Sequence, residues 1–390
     1  MQLSFFGLAI ILGYLIIRKK NFFFGFKESF LLGYFFYIFL PIVVIVYYED
    51  FLIDNFRLFK GYNKLDLYEV YFLSIASLVS FLTGYTFQKK KIRFINLKDD
   101  FYPSEIIFVL ILFLIPTFIN VDHSNPTIII YILSSLLIYK SNFNDFKKIT
   151  FLIIFLLLIQ YWTVYFSGSR RDIIKLLIIF LFFLRLIISS NRKFLFLLCL
   201  FSLVSLIFVF LNTYNRSNLE WDFKISAVEF IANYDFMPTF DNFMYILKGD
   251  EYLFGQSLFK ILFAWIPREV WPSKPFDTNL LIIQKHYNVF VGGSSQGVGL
   301  LGELYWNFSW FGILGGSFIL GVLAKNFDLS RYEKLKDSQI IILSSLSYLI
   351  FVMWRGSITT TIIIYLKNIV ALFLLFYLVK LIFRKKYKRL

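Results

Sequence analysis

Long apolar runs alternate with short polar links along almost the whole chain. Runs of bilayer-crossing length fall at 2–17, 29–48, 68–87, 104–121, 126–139, 149–167, 172–189, 194–212, 298–323, 339–354 and 358–383. A helix needs roughly 20 apolar residues to cross the hydrocarbon, so the pattern predicts about eleven transmembrane helices. The chain is expected to be an all-α polytopic integral membrane protein, with residues 1–390 forming a single membrane domain. One region breaks the rhythm. Residues 213–297 mix apolar and polar positions and predict a long loop, in which 225–247 has the spacing of an amphipathic helix lying at the membrane interface. No internal repeat is evident, which weighs against a transporter built from inverted halves.

Charge turns the pattern into a topology. The chain carries 40 Lys and Arg against 25 Asp and Glu, a net charge of +15. Such an excess can signal nucleic-acid binding, but here the cations sit in short clusters between apolar runs. Arg18-Lys19-Lys20, Lys89-Lys90-Lys91 with Arg93, Lys140 with Lys147 and Lys148, Arg192-Lys193, Lys325 to Lys336, and Arg384 to Arg389 fall on alternate connections. This is the positive-inside bias, and it excludes a nucleic-acid partner. It predicts the N-terminus outside, the C-terminus in the cytoplasm and the 213–297 loop on the extracytoplasmic face. The first apolar run precedes its basic cluster, the reverse of a cleavable signal, and is expected to remain as a span. A single cysteine, Cys199 within a run, excludes a disulfide framework, and two histidines provide no transition-metal pattern.

The outer face nevertheless carries cations at recurrent points. Arg170 and Arg171 follow Ser167-Gly-Ser169, Arg216 follows Tyr214-Asn215, and Arg355 precedes Gly356-Ser357. Arg268 lies in Trp265-Ile-Pro-Arg-Glu-Val-Trp-Pro-Ser-Lys-Pro275, which holds three of the eight prolines in the chain. Proline fixes φ and removes a backbone donor, so this segment is predicted to be a rigid, shaped loop. Guanidinium groups bind phosphate oxygens bidentately and stay charged at any physiological pH. Glycine and serine beside them let backbone and phosphate approach closely. An arginine cluster at the bilayer surface therefore suits a pyrophosphate whose lipid tail stays in the membrane. The competing reading is that outer arginines bind lipid headgroups or cap helix ends. No Asp-x-Asp pair stands on the outer loops, so neither a metal nor a cofactor is expected.

Four strings then resemble one family: Ser167-Gly-Ser-Arg170, Ile266-Pro-Arg-Glu-Val-Trp-Pro-Ser-Lys-Pro275, Gly302-Glu-Leu-Tyr-Trp-Asn-Phe-Ser-Trp-Phe-Gly312 and Arg355-Gly356. Their order and spacing resemble Wzy-type repeat-unit polymerases of O-antigen, lipopolysaccharide and capsule synthesis. Ser309 departs from the family pattern, which has glycine there. The resemblance implies a multi-span, GT-C-like glycosyltransferase of the bacterial inner membrane. It would transfer a growing glycan from undecaprenyl pyrophosphate to the non-reducing end of a new lipid-linked repeat unit. Direct attack by the acceptor hydroxyl would invert the anomeric centre. Donor and acceptor lipid-linked oligosaccharides, membrane lipid and a chain-length regulator are the implied partners. An O-antigen ligase acting on lipid A core shares the reaction class, and a lipid-linked oligosaccharide flippase would line a cavity with the same arginines.

On this reading Arg170, Arg268 and Arg355 take the donor pyrophosphate, with Arg171 and Arg216 next and Lys274 in support. Glu303, just inside a predicted span near the outer face, is the first choice for the base that takes the acceptor proton. The structural alternative is that it pairs with one of these arginines or caps the helix it begins. Asp241, Glu269, Asp277 and His286 are the other base candidates. Trp265, Trp271 and Tyr305 could stack on sugar faces, but in a chain with 25 Tyr and 52 Phe anchoring at the interface is the stronger reading. Lys175 and Arg185, near the ends of one run, are expected to snorkel, and Lys367, deeper in its run, to face protein or a polar cavity.

Overall fold

The computed structural model describes residues 25–45, 64–88, 100–118, 124–162, 170–188, 236–249, 251–287, 297–329 and 335–387, with isolated positions between 190 and 201. Every regular element among them is helical: α1 (Phe26–Tyr34, followed by a π turn at Phe35–Phe39), α2 (Lys64–Phe87), α3 (Pro103–Phe118), α4 (Ser124–Lys140), α5 (Asp145–Trp162), α6 (Arg170–Ile187), α7 (Phe236–Lys248), α8 (Gln256–Phe259), α9 (Thr278–Tyr287), α10 (Gly299–Leu329), α11 (Asp337–Arg355) and α12 (Ile358–Tyr387). The chain is an all-α polytopic membrane protein. Five helices among the described residues are long and apolar enough to cross a bilayer, spanning Phe26–Ile45, Asp66–Phe87, Gly299–Phe327, Asp337–Arg355 and Ile358–Ile382. The shorter α3 to α6 coincide with the runs expected at 104–121, 126–139, 149–167 and 172–189. The expected spans 2–17 and most of 194–212, and Cys199, lie outside the described residues, as does the first part of the expected amphipathic helix. Its remainder is α7.

Small residues set the closest helix pair. A Cβ placed on Gly84 of α2 would lie 2.1 Å from the Phe318 carbonyl oxygen, and one on Gly321 of α10 would lie 2.0 Å from that of Phe81. One turn away, Ser77 Oγ meets Ser317 Oγ at 2.8 Å and Ser80 Oγ donates to the Leu314 carbonyl at 2.7 Å. Lipid tails are as apolar as leucine, so close backbone approach and interhelical hydrogen bonds hold such pairs together. The centre of the bundle is α6, buried continuously from Leu176 to Leu184 and packed on α4, α5 and α11. A helix apolar on every side belongs there. By contrast, α12 exposes Leu366, Val370, Leu374, Tyr377 and Leu381, an apolar face that suits lipid.

Helix α10 is broken. Phe308 (φ −142°, ψ 23°) and Ser309 (φ 55°, ψ −150°) leave helical space. The short half folds back on the long one: a Cβ on Gly312 would lie 2.1 Å from the Leu304 carbonyl oxygen, and one on Gly316 would lie 2.5 Å from Leu304 Cδ2. In a straight helix, residues eight apart would be separated by about 12 Å. The run expected at 298–323 is thus two helices in a tight V, and residues 310–329 alone reach roughly 30 Å, enough to cross. The loop before α8 plugs the break, where Leu253 N–H donates to the freed Trp306 carbonyl at 2.7 Å. Gly255, at φ +83°, sits where a Cβ would approach the Phe308 ring within 2.9 Å.

The helices gather two unlike ends. At one, Lys27 and Lys325 lie over the Tyr85 ring (5.4 and 4.8 Å), Lys380 lies over Phe101 (5.0 Å), and Phe101 stacks on Phe376 (3.9 Å). Asp337 pairs with Lys140, and Asp100 pairs with Lys336. This end joins the start of α1, α3 and α11 to the end of α2, α4 and α10, so these helices alternate in direction as the basic clusters require. The other end carries the folded half of α10, the α11–α12 turn, α7, α9 and the proline-rich loop.

Candidate functional site

Glu303 lies on the short half of α10, with no exposed surface. Its Oε1 accepts from Ser257 Oγ at 2.8 Å and lies 2.6 Å from Thr359 Oγ1. Its Oε2 accepts the Ile358 N–H, and the Thr359 N–H at 3.3 Å. Ile358 and Thr359 open α12, so the carboxylate satisfies amides that no helical turn can reach, at the positive end of the helix dipole. Of the alternatives weighed for Glu303, the geometry is that of a cap, placed on a distant helix instead of its own. Asn307, one turn on, donates Nδ2 to Ser257 Oγ at 2.7 Å and to the Glu303 carbonyl at 2.8 Å. Asp277 grips the same helix start, since its Oδ2 accepts from Thr360 Oγ1. The Asp277 carbonyl in turn accepts the Leu280 and Leu281 N–H groups, both at 2.9 Å, and opens α9.

The turn that precedes α12 is pinned through its carbonyls. Thr239 Oγ1 of α7 donates to the Arg355 carbonyl at 3.3 Å, and Gly299 N–H donates to that of Gly356 at 2.8 Å. A Cβ on Gly297 would fall 1.6 Å from the Arg355 carbonyl oxygen, so only glycine allows this contact. Arg355 itself is half-buried.

Beside the turn, α7 and α9 bring two sequence candidates together. Asp241 is fully buried, and its Oδ2 lies 2.8 Å from His286 Nε2. Tyr287 Oη is within 3.2 Å of the same oxygen and 3.1 Å of Asn242 Oδ1, while Asn242 Nδ2 donates to the Gly297 carbonyl at 2.9 Å. Burial, and then the Asp241 charge, push the Tyr287 phenol far above its ordinary pKa, so it remains a proton donor. The His286 ring lies between Tyr245 (4.1 Å between centroids) and Tyr287 (4.4 Å).

The proline-rich segment is a compact series of turns. Val270 and Trp271 N–H groups return to the Pro267 carbonyl at 3.3 and 3.1 Å. Lys274 is buried and donates Nζ to the carbonyls of Ala264 (3.3 Å) and Ile266 (2.8 Å), which closes the loop on itself. Arg268 is exposed, 4.5 Å above the Phe276 ring, with one weak bond to the Pro275 carbonyl at 3.3 Å. Trp271 stands edge-on to Phe263 and donates to Ser273 Oγ at 2.9 Å, whereas Trp265 is 76% exposed. With Phe254, Phe259, Leu262 and Val270, all more than half exposed, Trp265 gives the loop an apolar rim suited to a membrane interface. Lys260, which the sequence reading passed over, sits among these charges. Burial pulls its pKa down, Asp277 and Glu303 act against that, and Arg268 and Lys274 reinforce it.

The structure therefore brings Glu303, Asp277 and the Arg355 turn to one helix start, and Asp241 to His286. Tyr305 is buried beside Tyr252, 6.1 Å between ring centroids, and Glu269 is exposed on the loop. Arg170 and Arg171 are the first residues of α6. Arg216 and Ser167 to Ser169 lie outside the described residues. Lys367, expected to face protein or a polar cavity, is instead exposed on α12. Beyond Lys260, sequence reasoning missed Ser257, Asn307, Thr359 and Tyr287. Two left a signal: Asn307 lies within the Gly302 to Gly312 string, and Thr359 lies in Ser357-Ile-Thr-Thr-Thr361, whose hydroxyls suit a helix start.

A family model described as O-antigen polysaccharide polymerase Wzy matches residues 116–386, more than half of the chain. Two curated relatives, O-antigen polymerases of Salmonella typhimurium and Salmonella typhi, are each 27% identical over 200 residues. Those matches cover 49% of this chain and 47% of each relative, so the chain spans about half the length of the curated relatives it matches. No solved structure matches it.

Proposed function

The chain belongs to the O-antigen polysaccharide polymerase family Wzy, and on that premise we propose that it polymerises a surface polysaccharide in the bacterial inner membrane. The donor is a glycan on undecaprenyl pyrophosphate, and the acceptor is the non-reducing end of a lipid-linked repeat unit. The end bearing α7, α9 and the proline-rich loop faces outward, because the opposite end gathers the lysines that the positive-inside bias assigns to the cytoplasm.

The observation that carries this reading is the convergence of separate elements on that outer end. Hydrogen bonds there link the α11–α12 turn and the start of α12 to the folded half of α10, to α7 and to the 251–277 loop, which also bonds to α10. Arg268 and Arg355, with Lys260 nearby, are the cations we assign to the donor pyrophosphate. Arg170, Arg171 and Arg216 extend the set on the family pattern, and Lys274 shapes the loop that carries Arg268. As the glycosyl bond breaks, these charges stabilise the leaving pyrophosphate.

The test is polymerisation by the purified chain in liposomes supplied with an undecaprenyl-pyrophosphate-linked repeat unit. New glycosidic bonds, seen as a ladder by mass spectrometry, are expected. Binding without extension would leave a flippase as the better reading. Transfer to lipid A core, with no lengthening of the lipid-linked unit, would indicate a ligase.

A further inference from the structure

A transfer of this kind must also dispose of a proton, and the structure offers few groups for it. The Glu303 oxygens already accept from two hydroxyls and two helix amides, and the side chain has no exposed surface. Asp277 spends Oδ2 on Thr360 and Oδ1 on the Asn279 N–H at 3.3 Å. His286 differs from both. Its Nε2 is held by Asp241, its side chain keeps 18% of its surface, and its Nδ1 has no hydrogen-bond partner among the described residues.

We propose that His286, oriented by Asp241, is the catalytic base of the glycosyl transfer. This rests on the polymerase reading. Asp241 is fully buried, so its carboxylate needs a donor, and the Nε2–H of His286 supplies one. That contact fixes the tautomer and leaves the Nδ1 lone pair to accept a proton, the logic by which an acid orients a base in hydrolytic triads. The groups around the ring are Asp241, Asn242 and Tyr245 on α7 and Lys285 and Tyr287 on α9, with Lys285 paired to Glu251. In the step, the acceptor hydroxyl oxygen forms a bond to the anomeric carbon. The bond from that carbon to the pyrophosphate oxygen breaks, and its electron pair leaves on undecaprenyl pyrophosphate. The hydroxyl proton moves to Nδ1, and the imidazolium, stabilised by Asp241, later yields it to water. Asn242 links the pair through Gly297 to the Arg355 turn, so base and proposed phosphate ligand share one support.

The test uses the full chain in liposomes with the lipid-linked repeat unit. His286→Asn retains a donor for Asp241 and has no base, so turnover should fall about 10²- to 10⁴-fold while donor binding is unchanged. His286→Ala should fall similarly, and added imidazole should restore part of its activity. Wild-type-like turnover in His286→Asn overturns the proposal. A loss that tracks weakened donor binding, with no imidazole rescue, also overturns it. If the unaltered chain forms no glycosidic bond, the polymerase reading fails first, so the two failures are distinguishable.

Discussion

The two ends of the bundle each bury a carboxylate, and they neutralise it by opposite means. Asp337 is paired with the Lys140 ammonium and accepts the Phe101 N–H at 2.8 Å, and the exposed Asp100–Lys336 pair lies beside it. Glu303 is held by two hydroxyls and two amides at the start of α12, with no ion pair. Where carboxylates are satisfied by cations, those cations are no longer available to anything else. Where fixed dipoles satisfy them, nearby cations are left over. Arg268 and Lys260 accordingly form no ion pair among the described residues, although Asp277 and Glu303 are close enough to act on Lys260. One end is a closed electrostatic lock, and the other leaves Arg268 and Lys260 without an ion-pair partner among the described residues, beside the site we propose for the donor pyrophosphate.

The largest expected effect breaks the dipole side of this comparison. Glu303→Ala would leave up to four buried donors without an acceptor, at about 1–3 kcal/mol each. A loss of at least about 3 kcal/mol in thermal or denaturant unfolding in detergent is expected. Glu303→Gln can offer its carbonyl to the amides and its amide to hydroxyls that can turn, and should keep most of the stability. Continued chain extension by Glu303→Gln would also exclude this carboxylate as the proton acceptor. If Gln is as damaging as Ala, the negative charge itself is required, and the cap account is incomplete.

Next in size is the pair of cations left over. Arg268→Ala should lower kcat/KM for lipid-linked repeat units about 10- to 100-fold, the value of one or two hydrogen bonds to a charged group, with unfolding unchanged. Lys336→Ala at the opposite end removes a comparably exposed cation and should change neither extension nor stability measurably. Equal activity in both variants would dissolve the distinction between the ends. Asp337→Asn tests the lock from within: it should cost about 1–3 kcal/mol, because Lys140 loses its charged partner, and should leave extension intact.

The helices were legible because apolar runs of span length admit few other structures. The alternation of their ends was legible because Lys140, Lys325 and Lys336 belong to the basic clusters of the sequence and lie at one end of the bundle. The chemistry was less so. Glu303 reads as an ionisable group near a span end, but its partners Ser257 and Thr359 lie 46 and 56 residues away, and no local pattern announces them. Asp241 and His286, 45 residues apart on two short helices, each appear as one candidate among several until α7 and α9 are seen side by side. Lys260 lies in Phe259-Lys-Ile-Leu-Phe263, where a lone cation among apolar residues reads as a snorkelling anchor. The break in α10 was half visible: the family pattern has glycine where this chain has Ser309, but a continuous apolar run conceals a fold-back.

That residue yields the smallest prediction and tests the geometry on which the end carrying α7 and α9 depends. Ser309 is held at φ 55° and ψ −150°, a conformation that glycine adopts freely and a residue with a Cβ avoids. The break is still enforced, by the Leu253 bond to Trp306, by the ring of Phe308 against Gly255, and by the contact of Leu304 with Gly312 and Gly316. Strain of this kind costs on the order of 1–3 kcal/mol, partly offset for glycine by its freer unfolded chain. Ser309→Gly should therefore raise unfolding stability by about 1 kcal/mol, whereas Ser309→Val should lower it. Because the V places Glu303 against α12 and so fixes the turn that carries Arg355, the valine variant should also slow chain extension, and the glycine variant should not. A neutral glycine substitution would mean that the backbone at the break is relaxed. The convergence at this end would then rest on the loop alone.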